Sequence, residues 1–205
     1  MKKVKYIVLM FIMMIMLTAC GNKEDVSDDE LVEITEEITE EITEDTPEGS
    51  VDTAPGEDEP VMIFGHFDSQ TLDGEAVTEE IFADADLTMV NIWGTYCGPC
   101  IAEMPDLGEI SREYADKGFQ MVGIICDASE PGNEDAVEIV NKTGADYTHL
   151  IASDDLIMNV LQYVSAVPTT VFVDSEGYLV GEVYSGARDK ETWKQIIDQN
   201  LAEVK

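Results

Sequence analysis

The sequence predicts an α/β domain built on a mixed sheet, and three observations carry the prediction. From residue 61 onward, apolar runs of strand length alternate with segments of helical periodicity. A Cys-x-x-Cys pair lies at a junction between one such strand and the next helix. The chain then finishes with a hairpin and a helix, which gives an otherwise parallel sheet an antiparallel edge. Residues 61–205 are enough for one domain with its own core, and no second folded domain is expected.

Taken in order, Val61 to Phe67 and Glu75 to Val77 read as strands, and Thr78 as the cap of a short helix reaching Phe82. Leu87 to Trp93 is apolar at almost every position, as expected of a strand covered on both faces. A helix is expected from Gly98 to about Lys117. Pro105 lies inside it, lacks an N–H and crowds the preceding turn, so a bend is expected there. Phe119 to Cys126 reads as a strand, Glu134 to Thr143 as a helix and Tyr147 to Ile151 as a strand. Asp154 to Tyr163 reads as a helix with Leu156, Val160 and Leu161 inward. Thr169 to Asp174 and Tyr178 to Tyr184 form a hairpin across Ser175-Glu176-Gly177, and Asp189 to Leu201 closes the chain as a helix with Trp193 and Ile197 inward.

The first 60 residues have a different composition. Lys2, Lys3 and Lys5 precede an apolar run from Tyr6 to about Leu17, shorter than the roughly 20 residues of a membrane span, so residues 1 to 19 are expected to be a cleavable export signal. An uncleaved anchor helix is the alternative, and either one exports the remainder of the chain. The methionines of this run belong to it rather than to a metal-binding cluster. From Gly21 to Pro60 there are 17 acidic residues against the single Lys23, with Pro47, Gly49, Pro55, Gly56 and Pro60 as breakers. Three copies of Glu-Ile-Thr-Glu, at 33–36, 37–40 and 41–44, would align Ile34, Ile38 and Ile42 along one side of a helix. Like-charge repulsion and the modest helix propensity of threonine favour a solvated tether instead, with a reach of roughly 35 Å over its 40 residues. Residues 61–205 carry 27 acidic and seven basic side chains, within a total net charge of −33. That balance argues against nucleic acid and against direct adhesion to anionic lipid. It is compatible with basic partners, although a solvated acidic surface is the simpler reading.

The chemistry is concentrated in Trp93-Gly94-Thr95-Tyr96-Cys97-Gly98-Pro99-Cys100. The first turn of a helix presents unpaired N–H groups and a partial positive charge, which favour a thiolate over a thiol. Cys97 at that position is the expected nucleophile. Cys100, one turn further on, is placed to attack a mixed disulfide at Cys97 and release the reduced partner. Pro99 suits the first helical turn, where an N–H is not required. The other meaning of Cys-x-x-Cys is half of a zinc site, but Cys20 and Cys126 stand alone and His66 and His149 have no ligand spacing, so no metal is assigned. Cys126 ends a strand expected beside the Trp93 strand, which leaves it either a third redox group or a buried small hydrophobe.

With these motifs in place, the chain resembles the thioredoxin superfamily, and within it the membrane-tethered TlpA and ResA type of thiol-disulfide oxidoreductase, over roughly Val61 to Glu203. The segment Trp93 to Cys100 is similar to that family's Trp-Ala-Thr-Trp-Cys-x-Pro-Cys, and Ala166-Val167-Pro168-Thr169-Thr170 looks like its second hallmark. The resemblance implies a three-layer α/β/α domain with a mixed central sheet and a cis proline at Pro168 facing the dithiol; an ordinary trans turn proline is the alternative. It implies that Val167 and Pro168 present backbone to an incoming peptide and that Trp93 and Tyr96 help to shape the groove. Tyr96 departs from the family's tryptophan, keeping an aromatic wall and adding a hydroxyl. Asn91 stands where cytosolic relatives carry a buried aspartate. Glu103 matches the glutamate of Cys-x-x-Cys-x-x-Glu-x-Pro, credited with handling the Cys100 proton, and helical spacing puts it on the Cys100 face. A plain surface glutamate is the competing reading. Leu17-Thr18-Ala19-Cys20 resembles the bacterial lipobox, which implies a lipidated Cys20 as mature N-terminus.

The function these features imply is reduction of disulfides in exported proteins by an enzyme anchored outside the cell membrane. No cofactor is needed beyond the Cys97–Cys100 couple. A Gly-Pro dipeptide between the cysteines is that of thioredoxin, whose potential lies near about −270 mV against about −120 mV for the oxidant DsbA, and this sets the expected direction. An exported reductase needs a membrane electron donor of the CcdA or DsbD kind. Apocytochrome c and an exported methionine sulfoxide reductase fit as substrates, and a monomer is expected. A peroxiredoxin-like peroxidase is disfavoured by Gly94, where that family needs a threonine. A module that delivers metal or heme iron, or holds unfolded clients, is the alternative outside enzymes; copper carriers of related fold use Cys-x-x-x-Cys with a distal histidine, and this chain has neither.

Overall fold

The computed structural model describes residues 60–204. The expected export signal, Cys20 and the expected acidic tether lie outside the described residues, as does the Glu-Ile-Thr-Glu repeat. No described helix is long and apolar enough to cross a membrane.

A short hairpin, β1 (Asp68–Gln70) and β2 (Ala76–Thr78), comes first. The main sheet consists of β3 (Leu87–Trp93), β4 (Phe119–Ile125), β5 (Thr148–Ile151), β6 (Thr169–Asp174) and β7 (Leu179–Ser185), in the order β5-β4-β3-β6-β7. β5, β4 and β3 pair in parallel; β6 is antiparallel to β3, and β7 to β6. The helices are α1 (Gly98–Tyr114), α2 (Glu134–Thr143), α3 (Asp154–Asn159) and α4 (Lys190–Glu203). The parallel half comes from strand-helix-strand units and the antiparallel half from the terminal hairpin, as the alternation of elements predicts.

β3 is buried at every position, and its alternation divides the core in two. Leu87, Met89 and Trp93 join Met104, Leu107, Ile110 and Tyr114 of α1 and Trp193, Ile197 and Leu201 of α4 on one face. Val90 and Ile92 join Phe64, Phe67, Phe82, Leu156 and Val160 on the other. Burying both faces of one strand is what makes the domain three layers deep. At Gly108, α1 comes up against the end of α2, since a Cβ there would lie 2.3 Å from the carbonyl oxygen of Gly144, the C-cap of α2.

The expected strand at Val61 to Phe67 is corrected. Only a single bridge joins Met62 to Tyr178, and the regular strand begins at Asp68. Phe64 and Phe67 are both buried, against each other and Phe82. Residues three apart in a strand point to opposite faces, so packing both rings inward bends the chain out of strand geometry. Two helices end earlier than their apolar patterns suggest. α1 gives way to a 3-10 turn over Ala115–Lys117, stopped by Gly118 at a left-handed φ of 77°, and α3 passes into another over Leu161–Tyr163. The segment after Thr78 is likewise a 3-10 turn, Glu79–Asp84, and Thr78 caps it by accepting from the Glu80 N–H. α1 runs continuously through Pro105.

Candidate active site

The carboxyl end of β3 delivers Trp93 and then the loop that carries the dithiol. Cys97 is the N-cap residue of α1, with Pro99 in the first turn, and the Cys100 backbone N–H donates to Cys97 Sγ at 3.2 Å. The two cysteines are joined as a disulfide with their Cα atoms 5.3 Å apart. Cys97 keeps 5 % exposure while Cys100 keeps none, so an incoming sulfur can reach Cys97 alone. The same N–H and the helix terminus would stabilise the thiolate released when the bond opens.

The loop before β6 faces this sulfur. The Val167–Pro168 peptide bond is cis, and the Val167 carbonyl oxygen lies 3.6 Å from Cys97 Sγ. Thr95 is tied down from the neighbouring strand end, its N–H and hydroxyl both donating to the Asp127 carboxylate. Tyr96 is 71 % exposed beside the dithiol, with its hydroxyl 3.8 Å from Cys126 Sγ. Cys126 is the only free cysteine among the described residues, partly buried, and its burial pushes the thiol pKa up while the Tyr96 hydroxyl opposes the shift. A thiol held in that way stays protonated near neutral pH and is a poor nucleophile.

Trp93 is placed differently from the groove wall that the motif suggests. It is wholly buried beneath the loop, and its Nε1 donates to His149 Nδ1 at 3.2 Å. His149 Nε2 donates in turn to the Ala145 carbonyl at 2.9 Å, which fixes the neutral tautomer. Burial lowers the His149 pKa to about 4. The ring is packed against Gly123 of β4, where a Cβ would lie 2.2 Å from Nδ1.

Glu103 is buried rather than a surface glutamate, at 4 % exposure. It comes one helical turn after Cys100, and its carboxylate accepts from Asn91 Nδ2 at 3.3 Å, the Arg188 backbone N–H at 3.1 Å and Trp193 Nε1 at 3.4 Å. Desolvation raises its pKa above the ordinary glutamate value, and these donors, together with the Arg188 charge, restrain the rise. A carboxylate with a raised pKa one helical turn from a buried cysteine is suited to take up and return a proton.

The structure thus gathers Cys97, Cys100, Glu103, Tyr96, Val167 and Pro168 around one loop and puts Trp93 underneath. The motifs give no sign of His149, Arg188, Trp193 or Asp127 as supporting groups, because their partners lie 32 to 90 residues away in sequence. Asn91 stands out in the sequence only as the lack of an aspartate.

Comparison with known proteins agrees with this geometry. The Redoxin family model matches residues 46–197. The thioredoxin-like protein YneN of Bacillus subtilis is 28 % identical over 132 residues, covering 64 % of this chain and 75 % of that protein. The thiol-disulfide oxidoreductase ResA of Halalkalibacterium halodurans is 27 % identical over 136 residues, covering 65 % and 72 %. Among solved structures, a thiol:disulfide interchange protein of the thioredoxin family from Chlorobium tepidum aligns with a TM-score of 0.61 at 25 % identity, over 71 % of this chain and 99 % of that one.

Proposed function

The chain belongs to the Redoxin family and is a thiol-disulfide oxidoreductase with a Cys97–Cys100 couple, and from that premise we propose that it reduces disulfides in exported proteins while tethered to the outer side of the cell membrane. The observation that carries the chemistry is the asymmetry of the couple: Cys97 caps α1, receives the Cys100 N–H and is the sulfur that can be reached.

The cycle starts from the reduced couple. The Cys97 thiolate attacks one sulfur of the client disulfide, forming a mixed disulfide and releasing the first client sulfur as a thiolate. Glu103 takes the proton of the Cys100 thiol, and Cys100 attacks Cys97. The Cys97–Cys100 bond forms, the bond from Cys97 to the client breaks, and the second client sulfur leaves. Two electrons have passed to the client, and the enzyme is left oxidised. Val167 and Pro168 offer backbone on which the client lies, and Tyr96 forms the exposed wall beside it. A membrane dithiol carrier of the CcdA or DsbD kind returns the electrons.

In this reading the export signal and the lipid on Cys20 supply the location and hold the chain where it meets both carrier and clients. Apocytochrome c and an exported methionine sulfoxide reductase are the client classes this location favours. The reading is tested by equilibrating the couple with glutathione and assaying insulin reduction. A potential near about −270 mV, with loss of insulin reduction in Cys97→Ser, supports it; a value near about −120 mV reverses the direction. Metabolic labelling with a fatty acid, lost in Cys20→Ala, tests the anchor.

A further inference from the structure

Asn91 is buried at the centre of the hydrogen bonds around Glu103, yet it is incompletely bonded. Its Nδ2 donates to Glu103 Oε1 at 3.3 Å and to Thr170 Oγ1 at 3.1 Å, while its Oδ1, closed off from solvent, has no partner. A buried acceptor with nothing to accept is costly and uncommon. The ionised carboxylate dictates this orientation of the amide, because turning it over would set Oδ1 against Glu103 Oε1, acceptor against acceptor.

That constraint disappears when Glu103 is protonated. Its Oε2 faces the Arg188 N–H and the Trp193 Nε1–H, both donors only, so the proton belongs on Oε1. There the new O–H needs an acceptor. Of the three groups bonded to the carboxylate, Asn91 alone carries one, and it is the unpartnered Oδ1. The Thr170 hydroxyl adapts to either orientation, accepting from Nδ2 in one and donating to Oδ1 in the other.

We propose that Asn91 is a positioning residue for proton transfer at Glu103, its amide turning over as the carboxyl gains or loses a proton so that both protonation states keep a hydrogen bond. The proposal rests on the reading of Glu103 as the acceptor of the Cys100 proton. The other charged or titratable groups facing this carboxyl leave the argument intact. The Arg188 charge, before α4, acts on the carboxyl whichever way the amide is turned; the buried Tyr147 hydroxyl, before β5, is held neutral by burial and by the Glu103 charge; Cys100 on α1 titrates only after the disulfide opens.

The test is NMR on the oxidised full-length chain, labelled with carbon-13 and nitrogen-15, tracking Glu103 Cδ and the Asn91 side-chain Nδ2 protons across the acid range. Both are expected to titrate with one midpoint, with the contact between the Asn91 Nδ2 protons and Thr170 lost below it. Glu103→Gln provides a second arm. The Arg188 and Trp193 donors hold the introduced carbonyl on their side, so its NH2 faces Asn91 and should keep the amide turned at every pH, with Asn91 signals like those of the acid form. Asn91 signals unmoved while Glu103 titrates, or Asn91 in its alkaline orientation in Glu103→Gln, overturn the proposal. The variant arm decides the matter wherever the Glu103 midpoint falls. Insulin turnover by Glu103→Gln separately tests the underlying reading: unchanged turnover removes Glu103 from proton handling without altering what the Asn91 signals report.

Discussion

Acid should weaken this fold through His149, and replacing that residue by phenylalanine isolates the effect. The folded pKa of about 4, set by burial, lies below the ordinary value of 6.5. Between these values the unfolded chain binds a proton that the folded chain refuses, so stability present above pH 6.5 is lost as pH falls and the loss levels off below about 4. A shift of about 2.5 units at about 1.36 kcal/mol per unit sets a limit near 3 kcal/mol. Phenylalanine keeps a planar ring but leaves Trp93 Nε1 and the Ala145 carbonyl without their partner, so His149→Phe is less stable than the parent at pH 7.5 by about 2 kcal/mol or more. It has no proton to refuse. Urea unfolding of both oxidised proteins from pH 7.5 to 3.5 should therefore show the parent's advantage falling by about 3 kcal/mol, and reversing if it starts smaller than that, all other titrating groups being shared. A gap that stays constant with pH would mean that His149 is solvated or already charged in the fold, and the account of the Trp93 support would fail.

The same geometry sets three further outcomes. Glu103→Gln slows insulin reduction by about a hundredfold, as expected for loss of a proton-transfer group; because burial raises the Glu103 pKa, the parent loses stability relative to the variant as pH rises through that raised value, and unfolding at pH 5 and pH 8 checks the sign. Gly123→Ala drives a Cβ to 2.2 Å from His149 Nδ1, where two hydrogen bonds resist any shift of the ring, and lowers stability by about 2 to 4 kcal/mol, measured as a drop in urea midpoint. Asp127→Ala removes the acceptor for the Thr95 N–H and hydroxyl and loosens the loop before Cys97, seen as lost exchange protection of the Thr95 amide with the core amides unchanged.

Local patterns in the chain are sufficient for most elements. Glu134–Thr143 and Thr169–Asp174 have the limits that periodicity and caps assign, with Asn133 capping the first by accepting from the Ala136 N–H. The segment from Val61 to Phe67 departs from its strand pattern because an aromatic cluster with Phe82 outweighs strand propensity, and that cluster is invisible until distant residues meet. Trp93 differs for a similar reason: its position in the motif tells that it is aromatic and next to the dithiol, while only the pairing of β3, β4 and β5 shows which side its indole takes.

The order of elements, the identity of the couple and the reactive end of α1 were determined by the sequence, because they depend on short-range spacing: alternation in strands, a cap before a helix, and two cysteines one turn apart. The tertiary structure decided which sulfur can be reached, that Glu103 is buried among three donors, and that His149 and Asn91 stand behind the site. Those properties are matters of burial and of contacts between residues up to 90 positions apart, and desolvation, which sets the Glu103 and His149 proton equilibria, exists only once the layers have closed over them.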